Sequence, residues 1–250
     1  MTDETPAKKR RSRKAAKAPP SALRRRLRQG LRWAMRGLAL SLALVLAWIA
    51  ILSLVTPPRN LYMRSEAARL GGISYDWAGW DEIAPVMARS IVAAEDANYC
   101  LHWGFDMAAI RQALDQGGNR GASTLSQQVV KNVFLWQDRS WTRKALEATL
   151  TPVVETFWSK RRILEVYMNI AEFDEGVFGV RAAAAHYFKV TPDKLTPTQA
   201  ARLAMVLPDP KRRSAARPTD WQRRRTASIM DGAQTIAADG RAACFEGTAG

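Results

Sequence analysis

The residues best suited to chemistry lie in a few short groups. Glu95-Asp96 closes an apolar run and is followed by Tyr99, His102, Gly104 and Asp106. A carboxylate beside apolar residues is pushed toward a neutral pKa, which a general base working near pH 7 needs. The same dipeptide also fits a solvated helix end. In the second group, Gly121-Ala122-Ser123-Thr124-Leu125-Ser126-Gln127-Gln128 runs on to Lys131 and Asn132 and crowds polar side chains at a helix start. Such a start attracts anions, phosphates included, although an ordinary capped, amphipathic helix reads the same way. Gln127 and Lys131 share one face, as do Gln128 and Asn132. A third group, Arg139-Ser140-Trp141-Thr142-Arg143-Lys144-Ala145-Leu146-Glu147, is either an acid held among cations, suited to a departing phosphate, or a surface pair of Arg143 with Glu147 at i,i+4. In the last, Ser159 to Phe173, Glu165 and Asn169 share a face, as a polar pair under the site or as the wet side of a helix.

These groups need helices to position them. Ile83, Val86, Met87, Ser90, Ile91 and Ala94 have helical spacing. A Ser-type start at Ser123 leads into Leu125, Val129 and Val133. Ser140 and Ser159 are placed to cap the next two helices, the first of which Pro152 should kink. Thr196-Pro197 is a cap with a first-turn proline, and that helix should stop before Pro208. Strand-like alternation is sparse, so the expected fold is mainly α, with a small hairpin between Asn60 and Ala78.

Composition places the chain at a membrane. Of 250 residues, 47% are hydrophobic, enough to bury a core, and the net charge is +15. That charge is uneven: residues 1–36 hold 13 Lys and Arg against Asp3 and Glu4, and the rest holds 25 basic against 21 acidic residues. Gly37 to Pro58 contains no charged residue. About 20 apolar helical residues cross a bilayer's hydrocarbon layer, and the stretch exceeds the roughly 7–15 apolar residues of a cleaved signal. The positive-inside rule then puts the basic arm in the cytoplasm and exports the chain beyond the span. Topology accounts for the arm, so no nucleic-acid partner is expected. The expected plan is a cytoplasmic tail (1–36), a transmembrane helix (37–58), a linker (59–75), a folded exported domain (76–236) and a C-terminal tail (237–250). His102, His186, Cys100 and Cys244 are too few and too scattered for a zinc site. An exported domain would permit a disulfide, but spacing does not say whether the cysteines meet.

Taken in order, these segments resemble the peptidoglycan glycosyltransferase family (glycosyltransferase family 51). Its pattern is Glu-Asp-x-x-Phe-x-x-His-x-Gly, Gly-Gly-Ser-Thr-x-x-Gln-Gln-x-x-Lys-Asn, Arg-Lys-x-x-Glu and Lys-x-x-Ile-Leu-Glu-x-Tyr-x-Asn. Gly176 to Phe188 and Ala200 to Pro210 extend the match to roughly residues 76–230. Tyr99 stands where Phe is usual, and Ala122 replaces a Gly. Gly-Ala-Ser-Thr and Asn169-Ile170-Ala171-Glu172-Phe173 resemble the monofunctional branch, and no Ser-x-x-Lys transpeptidase nucleophile occurs.

The resemblance implies a lysozyme-like glycosyltransferase domain behind one transmembrane helix, acting in the inner membrane with its catalytic domain in the periplasm. The implied reaction joins lipid II onto a lipid-linked glycan and releases undecaprenyl pyrophosphate. Glu95 matches the general base, and Glu147 the second catalytic carboxylate. Lys131, Arg139, Arg143 and Lys144 match the cations for the pyrophosphate. Asp96, Ser123, Thr124, Gln128 and Asn132 match the substrate groove, with Asp96 also orienting Glu95 or its helix. His102 is expected to be a structural hydrogen-bonder. No cofactor is obligatory, although a divalent cation, Mg or Mn, fits a pyrophosphate. The alternatives are a glycan-cleaving lytic transglycosylase and a scaffold for division or elongation proteins.

Overall fold

The computed structural model describes residues 22–117, 123–138 and 140–247. The chain divides into two compact units, Met1–Ala47 and Trp48–Gly250. The first holds most of helix α1 (Ala22–Leu52). Leu38, Leu40, Leu42 and Leu44 stand exposed along it. Apolar side chains on a core helix would be covered, so α1 fits a single membrane span in length and character. Its helix ends at Leu52, short of the expected 37–58 span.

The second unit is built mainly of helices. It runs through α2 (Leu61–Leu70), β1 (Ser74–Tyr75), α3 (Pro85–Glu95), α4 (Met107–Asp115), α5 (Leu125–Phe134), α6 (Trp141–Phe157) and α7 (Lys160–Ile170). After these come β2 (Glu172–Asp174), β3 (Val177–Phe178), α8 (Val180–Phe188), α9 (Pro197–Val206), α10 (Asp220–Ala238) and α11 (Ala243–Glu246). Local signals account for most boundaries. Ser140, Ser159 and Thr196 each accept a backbone N–H three residues on, from Arg143, Arg162 and Gln199. Thr219 opens α10 with a reciprocal Thr-Gln capping box. α5 is capped by Thr124 rather than Ser123, again with a reciprocal bond from its third residue, Gln127. α6 runs on through Pro152.

The structure differs from three expectations. The stretch read as a linker carries α2, capped by Asn60, whose Met63 is fully buried. No hairpin forms between Asn60 and Ala78. β1 instead pairs in parallel with β3, which pairs antiparallel with β2, in the order β1-β3-β2. Parallel strands need a long crossover rather than a tight turn, and a partner about a hundred residues away leaves no local signal. The described part of the C-terminal tail, 237–247, is likewise docked. Phe245 is fully buried and Cys244 is disulfide-bonded to Cys100.

The core of this unit centres on α3, α5, α7 and α9. Met87, Ile91, Leu125, Val129, Ile163, Leu164, Leu203 and Val206 have essentially no exposure. Asn169 is buried among them, and its amide holds both the N–H and the carbonyl of Ala78, at 2.8 and 2.9 Å. Glu165, one turn earlier, accepts from Trp80 N–H and pairs with Arg162. Glu165 and Asn169, on one face of α7, pin the 76–80 segment onto the helix.

Candidate active site

Glu95 is the last residue of α3 and only partly exposed. Burial pushes its carboxyl pKa up, and the partial negative charge of a helix C-terminus works in the same direction. Two effects oppose them: a hydrogen bond from Gln128 Nε2 to Glu95 Oε2 at 3.0 Å, and the positive charges of Arg225 and Arg213. Glu95 thus has the elevated yet supported carboxylate a general base requires.

Asp96, one residue on, has left the helix and spends both oxygens on architecture. Oδ1 lies 2.9 Å from His102 Nε2, and Oδ2 accepts the N–H of Leu125, the first residue of α5, at 3.0 Å. That bond satisfies an otherwise orphaned helix N–H. The end of α3 is thereby tied to the start of α5. Thr124 locks the same junction, donating its hydroxyl to the Gly104 carbonyl at 2.6 Å while capping α5. Gly104 has φ +86°, and a Cβ there would stand 2.7 Å from Thr151 Cγ2. The glycine of the His-x-Gly triplet is therefore required by both backbone and space.

Glu95, Asp96, Asn98, Asp106, Ser123 and Thr124 line a cavity of about 170 Å³. On the other side of Gln128 lies a groove of about 310 Å³, walled by Lys131, Asn132, Tyr62, Tyr167, Glu172 and Lys211 among others. Burial lowers the pKa of Lys131, while Glu147 and Glu95 both pull it back up.

Glu147 is almost completely buried. Its oxygens lie 2.6 Å from Arg143 Nη1 and 2.5 Å from Lys144 Nζ, and Gln127 Nε2 donates to Oε1 at 3.4 Å. The surface-pair reading of Arg143 and Glu147 is thus overturned, because packing against α5 covers the carboxylate. Ser140, Trp141, Arg143 and Lys144 line a shallower depression of about 230 Å³. Among the described residues, no cluster of His, Cys, Asp and Glu is placed to hold a metal ion.

One helical turn therefore serves both acids, Gln127 holding Glu147 and Gln128 holding Glu95. A model of the family described as Transglycosylase matches residues 65–234. This chain belongs to that family. It is 59% identical to a biosynthetic peptidoglycan transglycosylase of Jannaschia sp., over 86% of this chain and 90% of the relative. Proteins of the same name from Escherichia coli O127:H6 and Xanthomonas campestris pv. campestris are 48% and 44% identical, over 77% and 86% of this chain and 86% and 92% of theirs.

For this transglycosylase, the structure gathers Glu95, Ser123, Gln128, Lys131, Glu147, Arg143 and Lys144 around the first turns of α5 and α6. Asn132 lines the groove beyond Gln128 and accepts from Gln137 at 2.8 Å. Asp96 and Thr124, expected along the substrate groove, border the cavity with their polar atoms already engaged. Arg139 lies outside the described residues, as do Gly121 and Ala122. Sequence reasoning gave no role to Tyr167, whose hydroxyl reaches Gln128 Oε1 at 3.3 Å, or to the groove wall, where Tyr62 donates to Glu172 at 2.5 Å and Lys211 pairs with Glu66 at 2.9 Å. The Glu-x-Tyr spacing of Glu165 and Tyr167 was a signal for the first. Nothing local marks the second, whose members come from distant segments.

Proposed function

We propose that this chain is a peptidoglycan glycosyltransferase that polymerises lipid II into β-1,4-linked glycan and releases undecaprenyl pyrophosphate. The observation that carries the reading is the adjacent pair Gln127 and Gln128, each bonded to a different carboxylate in a different electrostatic setting. Glu95 is raised by burial and faces an open cavity, whereas Glu147 is buried among cations. Such a division of settings suits a base and a leaving-group site.

In this scheme Glu95 takes the proton of the attacking sugar hydroxyl. The oxygen bonds to the anomeric carbon of the donor, the bond to pyrophosphate breaks, and its electron pair leaves with the pyrophosphate. Lys131, Arg143, Lys144 and Arg139 meet the departing charge, and Glu147 keeps Arg143 and Lys144 oriented. Attack opposite the leaving group turns an α-linked donor into a β product. A divalent cation, Mg or Mn, would arrive on the pyrophosphate rather than on a protein cage.

The basic arm of residues 1–36, which precedes the uncharged stretch of α1, supports an inner-membrane protein with its N-terminus in the cytoplasm. The Cys100–Cys244 bond supports a catalytic unit in the oxidising periplasm. The anchored site would then lie at the bilayer surface where its lipid-linked substrates arrive.

Purified full-length protein given lipid II tests the reading. It should form polymer that moenomycin blocks, and Glu95→Gln should abolish polymerisation without moving the melting midpoint. Cleavage of finished peptidoglycan in place of lipid II polymerisation, or near-normal turnover by Glu95→Gln, would refute it.

A further inference from the structure

The catalytic stretch of chain from Ala94 to Cys100 is gripped from behind by the C-terminal part of the protein. Arg225, on α10, donates from Nη2 to the carbonyl of Ala94 at 3.1 Å. Arg241 donates from Nη1 to the carbonyl of Ala97 at 3.1 Å. Cys244 is bonded to Cys100, and the ring of Phe245 packs 6.3 Å from that of Tyr99. Arg161 on α7 holds the far end of this hook through the carbonyls of Phe245, Glu246 and Gly247.

Of these contacts, the one at Ala94 bears most directly on the chemistry. Ala94 is the residue before Glu95, and its carbonyl belongs to the last turn of α3, where no intrahelical N–H remains to satisfy it. A guanidinium at this point meets the negative end of the helix. Its positive charge also favours the ionised form of the carboxylate that the proposed reaction uses.

We propose that Arg225 is a positioning residue for Glu95, its guanidinium fixing the end of α3 so that the carboxylate stands in the cavity with a positive charge beside it. The proposal rests on Glu95 as the base. Arg225 is only partly buried, and its hydrogen bond here is to backbone rather than to a carboxylate that would neutralise it. Other groups also face Glu95: Gln128 and Lys131 from α5, Tyr167 from α7, Arg213 from the segment before α10, and its own neighbour Asp96. Arg213 is anchored elsewhere, donating to the Met205 carbonyl and lying over the Trp221 ring. Arg225 alone of the two arginines grips the α3 backbone among the described residues.

The test compares Arg225→Met, Arg225→Lys and Arg225→Gln in the full-length protein, following lipid II polymerisation across pH and the melting midpoint of each variant. Activity needs the Glu95 carboxylate, so it falls on the acid side as that group is protonated. A nearby positive charge favours the carboxylate. Its removal should therefore move the acid limb of kcat/KM to higher pH. For Arg225→Met the expected result is a kcat loss of roughly 10- to 100-fold, the scale of a misplaced catalytic group, with KM changed by no more than about twofold. Arg225→Lys should return the limb to its wild-type position. Should the Met variant fail to fold, Gln decides, since it keeps a donor for Ala94 without the charge and should show the displaced limb. An acid limb that stays in place in Met and Gln variants would overturn the proposal and leave Arg225 a helix tie only. If those limbs stay while Glu95→Gln is inactive, Glu95 remains the base and only the role of Arg225 falls. An active Glu95→Gln would instead remove the reading on which it rests.

Discussion

Replacing Glu147 by Gln tests whether the acid among cations is a buried cluster. Its carboxylate side chain is 3% exposed, Arg143 is 11% exposed and Lys144 is 43% exposed. The substitution keeps the volume and one acceptor oxygen but removes the charge that both cations share. Breaking a buried pair costs about 3–5 kcal/mol, because the surviving charge is left uncompensated. Lys144 can swing its ammonium back into water, so the penalty falls mainly on Arg143, and the lower end, about 3 kcal/mol, applies. For a domain of this size each kcal/mol moves the midpoint by about 2–4 °C, so a fall of roughly 6–12 °C is expected. The cations lose their fixed orientation toward the leaving group, and kcat should drop by about 10²- to 10³-fold, the cost of losing one preorganised electrostatic contact. Thermal melting and lipid II polymerisation on the same preparation read both effects. A melting midpoint within about 1 °C of wild type, the behaviour of an exposed i,i+4 pair worth a few tenths of a kcal/mol, would refute the buried-cluster reasoning.

Other substitutions separate chemistry from architecture. Gln128→Leu removes the hydrogen bond that favours the charged form of Glu95. The acid limb of kcat/KM should then move to higher pH, and a pH-rate profile with an unmoved limb would show that the contact does not tune the base. Asn169→Ala leaves both polar groups of Ala78 unpaired in the core. Denaturant melts should record a loss of about 2–4 kcal/mol, while the pH dependence of the remaining activity stays as in wild type.

Much of the candidate site was legible in the sequence because its signals are local. Caps work over three residues, so Ser140, Ser159 and Thr196 announced their helices correctly. The polar crowding at the start of α5 and the acid-cation spacing at the start of α6 likewise lie within one or two turns. The order of these segments was specific enough to name the family.

Tertiary structure decided what lies between segments. That Asp96 accepts the N–H of Leu125 depends on α3 ending against the start of α5, a junction of chain 29 residues apart. The burial of Glu147 depends on α6 packing over Gln127. Parallel pairing of β1 with β3, in place of a hairpin, depends on a partner beyond any local window. The joining of Cys100 to Cys244 spans 144 residues, and the grip of Arg225 on Ala94 spans 131. Hydrophobic periodicity says which face of a helix turns inward, but not which helix it will meet. The candidate residues for the chemistry were therefore written in the sequence, while the contacts that set their charge and position were written only in the packing.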